Sequence, residues 1–287
     1  MSQAEQTQPA DRSYDSDDVI YLLGLTPMAT EQVRSSILET LPYLECLSSD
    51  DIDAWYVSVA RDQFEGEDAE KNLADLAWLT PRIMAHQRSL ELLAEQLTLY
   101  PATFGTLFSS RDVLQSKLAQ NHETLDEYFA AVAGKQEWGI KCLVSWPDAV
   151  EAYQRVHPDT SQSAEGGGVS YLRRQKLIRD RDERVRSWID EELQAIESAL
   201  EARSSGLCHR RITDRSIKKD TECLANIAVL LKHESVEATL AWIKEWEEQH
   251  NARERLIKIE LTGPWPTFSF CPPMVDGACA EQPTCAI

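Results

Sequence analysis

The sequence predicts an α+β fold in two successive units, the C-terminal one of ferredoxin-like type with a long helix. Three observations carry this. Ile140, Cys142 and Val144 alternate with Lys141 and Leu143 in the stretch Glu137–Val144, the period-2 mark of a sheet with one covered face. Ile257, Ile259 and Leu261 alternate in the same way with Leu256, Lys258 and Glu260. Between these stretches lie a long charged helical segment, a third apolar run and a second helical segment. The order strand–helix–strand–helix–strand lays helices on one face of a small sheet. The residues ahead of Glu137 read as another α+β unit.

Composition sets outer limits. A chain of 287 residues is long enough for two ordinary domains. Its net charge of −19 opposes nucleic acid, whose phosphates need a basic surface, and opposes anionic membranes. No apolar run is long enough to cross a bilayer. Met1–Asp18 is polar and lacks the basic and apolar regions of a signal peptide, so a cytoplasmic location is expected. Cys46, Cys142 and Cys223 sit in apolar runs and read as buried thiols. Cys271, Cys279 and Cys285 have no zinc-type spacing. No metal or other cofactor is expected.

The domain expectation is a disordered N-terminus over 1–18, an α+β domain over 19–134, a second over 135–270 and a flexible tail over 271–287. Val19–Leu25 reads as a buried strand. Thr30 caps a helix with Val33, Ile37 and Leu41 on one face. Leu44–Leu47 and Trp55–Val59 are strands flanking Ser48-Ser49-Asp50-Asp51, which is turn chemistry. Thr80 with Pro81 is read as a helix start, followed by Ile83, Leu90, Leu93 and Leu97 on one stripe. His86 shares that stripe and reads as a hydrogen-bonded core residue. Pro101–Phe108 is an edge strand or bulge, and Ser109 to Val132 a helix closed by Gly134.

In the second unit, Trp146-Pro147 ends the first strand and Asp148–Val156 is a short helix. Asp159–Gly168 is a loop whose glycines match no phosphate-binding pattern. Val169–Ser204 is the longest helix signal, with Val185, Trp188, Ile189, Leu193, Ile196 and Leu200 as its apolar stripe. Its length leaves room for one end to project. Leu207–Asp220 reads as a basic, solvated loop in which Arg210 and Arg211 are candidates for an acidic partner. Cys223–Leu231 is apolar on both faces and suits a central strand. Gly263-Pro264-Trp265-Pro266 is expected to end the last strand, because proline donates no ladder hydrogen bond.

Taken in order, several of these stretches resemble the gas vesicle protein GvpL/GvpF family over most of Val19–Phe270. They are Tyr21–Leu25, the His86 helix leading into Phe104-Gly105-Thr106-Leu107-Phe108, Glu137–Lys141, Gly168–Leu172, Leu261–Pro266 and Ser269-Phe270. In two places the chain departs from the family pattern. Thr103 stands where arginine is usual, and Thr267-Phe268 where proline and tyrosine are usual. The resemblance implies a non-enzymatic, cytosolic accessory protein of gas vesicle formation. It implies as partners the hydrophobic shell protein GvpA and other accessory Gvp proteins. Apolar contacts would come from Trp188 or from Trp265, Phe268 and Phe270. Among the residues themselves no triad, metal cluster or phosphate loop supports an enzyme. A ligand-sensing ferredoxin-like module is the alternative.

Overall fold

The computed structural model describes residues 18–157, 169–213, 216–218, 220–254 and 257–274. The expectations for residues 1–17, for the glycine-rich loop and for residues 275–287 lie outside the described residues. The chain divides into two compact units at Glu123/Thr124, and each is α+β.

The first unit carries an antiparallel sheet of β1 (Asp18–Pro27), β2 (Glu45–Ser49), β3 (Ile52–Ala60), β4 (Tyr100–Pro101) and β5 (Leu107–Phe108). Its order is β2-β3-β1-β4, with β5 also pairing β1. Val19 to Thr26 of β1 are all buried, as a central strand covered on both faces requires. The turn between β2 and β3 is only Asp50-Asp51, because β2 extends through Ser49. Asp50 adopts φ 50°, a left-handed conformation that Asp tolerates.

Helices α1 (Glu31–Thr40), α2 (Glu67–Ala74), α3 (Leu76–Ala94) and the start of α4 (Arg111–Val132) complete the unit. Thr30 caps α1 as expected, accepting from Val33 N. The start of α3 differs from the expectation at Thr80. Asp75 is the cap, accepting from Ala77 N at 2.9 Å, and Pro81 lies inside the helix. Pro81 removes the donor for the Ala77 carbonyl, but Ala77 is exposed, so no dry group is orphaned. His86, Ser89, Leu90 and Leu93 form the buried face, whereas Ile83 is 43% exposed.

One buried charge ties this unit together. The Asp53 side chain is fully buried on β3. It accepts from Arg34 Nη2 at 3.2 Å, Ser48 Oγ at 2.6 Å and Ala29 N at 2.9 Å. Those donors come from α1, β2 and the loop after β1.

The second unit contains β6 (Lys135–Ser145), α5 (Trp146–Val156), α6 (Val169–Glu201), β7 (Gly206–His209), β8 (Ser216–Lys218), β9 (Thr221–Lys232), α7 (Val236–Glu254) and β10 (Lys258–Trp265). The antiparallel sheet has the order β10-β6-β9-β7, with β8 also on β9. Ile140 opposes Ile227, and Cys142 opposes both Ala225 and Ile259. These residues join Val185, Ile189, Ile196 and Leu200 of α6 and Ile243 of α7 in one core. Cys142 and Cys223 are buried, but Cys46 is only half-buried. Burial pushes the Cys142 thiol up to about 12.

Two sequence expectations are corrected here. The basic stretch read as a loop holds β7 and β8. Its short strands carry little apolar pattern of their own, and pairing with β9 decides their conformation. The last strand does not stop at Gly263-Pro264. Pairing steps from Thr262↔Gly139 to Trp265↔Glu137, so β10 carries one extra residue, a bulge on an edge strand. Pro264 sits there, where no ladder donor is needed.

At one glycine the sheet allows no side chain. A Cβ on Gly24, at the β1 irregularity, would lie 2.8 Å from the Tyr100 carbonyl and 2.7 Å from Leu99 Cδ1. Gly24→Ala is expected to cost about 1–3 kcal/mol through overpacking, read as a lower urea midpoint at unchanged slope.

Candidate functional site

Alternation along β6 turns Ile140 toward the helices and Glu137 the other way. Glu137 is fully buried there. A carboxylate in such a place must be paired and hydrogen-bonded. Arg210, just past β7, supplies the countercharge: its Nη2 donates to Glu137 Oε1. The ladder extends to place it, since Arg210 N donates to the Asn226 carbonyl at 2.7 Å. Ser269 fills the remaining lone pairs. Its N–H donates to Glu137 Oε2 at 2.9 Å and its Oγ donates to Oε1 at 2.9 Å. Arg210 Nε in turn donates to Ser269 Oγ at 2.8 Å. Burial pushes the Glu137 carboxyl up, while the Arg210 guanidinium and the Ser269 donors pull it down. Gly139 leaves room for this clasp: a Cβ there would stand 3.1 Å from Arg210 Nη1 and 2.6 Å from Thr262 Oγ1.

The clasp fixes the segment after β10 as a strap. Phe268–Phe270 makes a single 3-10 turn. Phe270 is 2% exposed and lies beside Gly206, where a Cβ would come within 3.1 Å of the Phe270 ring. Thr267 Oγ1 is hydrogen-bonded to Tyr128 Oη, so one of the two departures from the family pattern is used structurally. Cys271 Sγ lies 3.4 Å from Tyr128 Oη and 3.3 Å from the Thr267 carbonyl. Phe268 is half-buried, and Trp265 remains 36% exposed, its Nε1 donating to Thr262 Oγ1 at 3.1 Å.

Of the six candidates from the sequence, Arg210 bonds Glu137 directly, Trp265 is its ladder partner, and Phe268 and Phe270 stand on either side of Ser269 in the chain. The other two lie apart from this clasp. Trp188 on α6 packs against Tyr153, with ring centroids 5.6 Å apart, and His157 at 6.4 Å. Arg211 is exposed, and its carbonyl accepts from Asn226 Nδ2 at 3.3 Å. Sequence reasoning missed Glu137 and Ser269. Parity puts Glu137 on the Lys141 face of the strand, which the sequence reads as open, so nothing local marked it as buried.

The first unit has a polar pair of its own. His86 Nε2 lies 3.0 Å from the Ala102 carbonyl, which can only accept, so Nε2 carries the proton. Nδ1 then accepts from the Tyr21 hydroxyl at 2.8 Å. Gly105 N donates to the same hydroxyl at 3.4 Å, and the rings of Phe64 and Phe104 pack against Tyr21, with Trp78 against Phe64. The relay holds the 102–106 loop on β1. Among the described residues no group of three His, Cys, Asp or Glu is placed to hold a metal ion, and no helix is long and apolar enough to cross a membrane.

A family model described as gas vesicle synthesis protein GvpL/GvpF matches residues 20–272. The chain belongs to the GvpL/GvpF family. Gas vesicle protein L of Streptomyces sp. (strain CB03234) is 24% identical over 216 residues, 74% of this chain and 77% of that protein. Gas vesicle protein L of Haloferax mediterranei is 24% identical over 206 residues, 66% of this chain and 61% of that one. Among solved structures, GvpF of Anabaena sp. PCC7120 matches with TM-score 0.63 at 16% identity, covering 89% of this chain and 97% of that one. GvpF of Microcystis aeruginosa matches with TM-score 0.59 at 16% identity, covering 89% and 99%. The GvpL/GvpF fold is thus shared across nearly the whole of these chains.

Two measurements check the site. Glu137→Gln leaves the Arg210 guanidinium without its carboxylate and is expected to lower stability by about 2–4 kcal/mol. Adding Arg210→Met should recover part of that loss in urea unfolding. The second concerns pH. Burial lowers the His86 pKa, so the fold keeps the ring neutral while an unfolded imidazole titrates near pH 6.5. Below that value the unfolded chain takes up a proton that the folded chain refuses. His86 therefore makes stability fall as pH drops through about 6.5, by up to about 1.4 kcal/mol per pH unit. His86→Gln, which keeps a donor and an acceptor, is expected to flatten that part of the profile.

Proposed function

We propose that this chain is an assembly factor of gas vesicles. It acts in the cytoplasm and at the forming vesicle, by shape and adhesion. In this reading it binds the hydrophobic shell protein GvpA and other Gvp proteins, and holds the shell protein until it is added to the wall. The observation that carries this is the family match running through both units, residues 20–272. The names of its relatives, gas vesicle protein L in two organisms, support the same role.

The second unit supports a ferredoxin-like reading through its strand order β10-β6-β9-β7 with helices between successive strand pairs. On that frame the strap is our choice of contact surface. Trp265 and Phe268 offer apolar area to an apolar partner, because exposed aromatic surface is what such a protein seeks. Arg210 and Phe270 hold the strap in place. Trp188 and Arg211 are secondary candidates.

The test is deletion of the gene in the host, followed by complementation with the intact chain or with Trp265→Ala/Phe268→Ala. The intact chain is expected to restore buoyant, light-scattering cells. The double variant is expected to retain normal folding but to recover several-fold less shell protein on co-purification, as loss of interface aromatics does. Normal vesicles after deletion in a host with no other family member, or an intact chain that retains no Gvp protein, would refute the proposal.

A further inference from the structure

The apolar stripe of α6 outruns its cover. Val185, Ile189, Ile196 and Leu200 are buried in the second core. Ile178 lies seven residues before Val185, and Tyr171 seven before Ile178. Seven residues make almost two turns, so all three share a face. Yet Tyr171 is 65% exposed, the neighbouring Leu177 54% and Ile178 38%, while Val185 is fully buried. The same face thus passes from dry to wet within one helix.

The charge at this end is equally out of place. Arg173, Arg174, Lys176 and Arg179 all precede the first acidic residue of the helix, Asp180, in a chain of net charge −19. No acidic residue stands in the first turn of α6. Arg179 pairs with Glu183 four residues on, at 3.9 Å, but Arg173, Arg174 and Lys176 stand toward the helix end whose dipole favours anions. Arg174 falls between Leu177 and Ile178 on the helix surface and Arg173 beside Leu177, so exposed apolar side chains and cations share one face, which matches a ligand of the opposite pattern.

We propose that the first turns of α6 dock an acidic amphipathic helix of another protein. Its apolar side would lie along Tyr171, Leu177 and Ile178, and its carboxylates would face Arg173 and Arg174. Other occupants fit less well. A twofold dimer through this face would set one copy's cations against the other's. Nucleic acid and anionic lipid spread dense negative charge well beyond this patch and so meet the acidic remainder of the chain, whereas a short helix meets the patch alone.

The experiment titrates the full chain into a labelled synthetic helix with leucine at heptad positions a and d and glutamate at the outward positions. A lysine version is the control. The glutamate helix is expected to bind and to weaken as ionic strength rises, while the lysine helix does not bind. Arg173→Glu/Arg174→Glu is expected to lose about tenfold or more in affinity, as reversal of facing charges does. Ile178→Asp is expected to lose about as much. Both variants change exposed side chains and keep the helical far-UV spectrum. Equal binding by variant and parent, or equal binding of the two peptides, overturns the proposal, as does no binding. A concentration-dependent dimer that the charge reversal abolishes also overturns it, by giving the face to a second copy. Binding by the purified chain reads this surface alone, whatever the outcome for vesicle formation.

Discussion

A buried carboxylate held by one guanidinium and one serine is what the second unit is arranged around. Glu137 has no exposed surface, and its donors come from the end of β7 and from the segment after β10. Removing two charges from water costs several kcal/mol per ion, and a hydrophobic replacement is often as stable. What the charge supplies is direction. Only Arg210 and Ser269 in this register satisfy its oxygens, so the chain after Pro264 has one place to go. The apolar packing of Phe270 over Gly206 contributes burial, and the clasp makes the position unique.

The first unit repeats the device with other residues. Asp53 also sits on a sheet strand with a fully buried side chain, and also takes one arginine, one serine and one backbone N–H. There the donors tie α1, β2 and the loop after β1 to β3. Each sheet thus carries a polar pin that fixes how the irregular segments meet it. The Tyr21–His86–Ala102 relay does the same for the loop between β4 and β5.

How much of this was legible in the sequence depends on where the information lay. Strands with their own alternation, β6 and β10, and runs apolar on both sides, β1 and β9, could be read directly, as could the buried stripe of α6. Elements defined by a partner could not. β7 and β8 are strands because β9 offers them a ladder, and their basic composition hid it. The α3 start was misplaced because Thr80-Pro81 mimics a cap, while the real cap, Asp75, closes a break of a single residue after α2. Pro264 was read as a stop because its cost holds for a regular ladder and not for a bulge. Within the site, the aromatic and arginine candidates could be picked by type. Glu137 and Ser269 could not, because their importance arises from meeting each other across 132 positions.

Cys271 gives the strap its own reporter. Its thiol rests against Tyr128 and the Thr267 carbonyl, and burial drives its ionisation far above the ordinary range. Alkylating reagents attack the thiolate, so a seated strap leaves this sulfur inert. The rate at which it takes up label then measures how often the aromatic segment lifts from the sheet, and a bound partner that pins the segment would slow that clock.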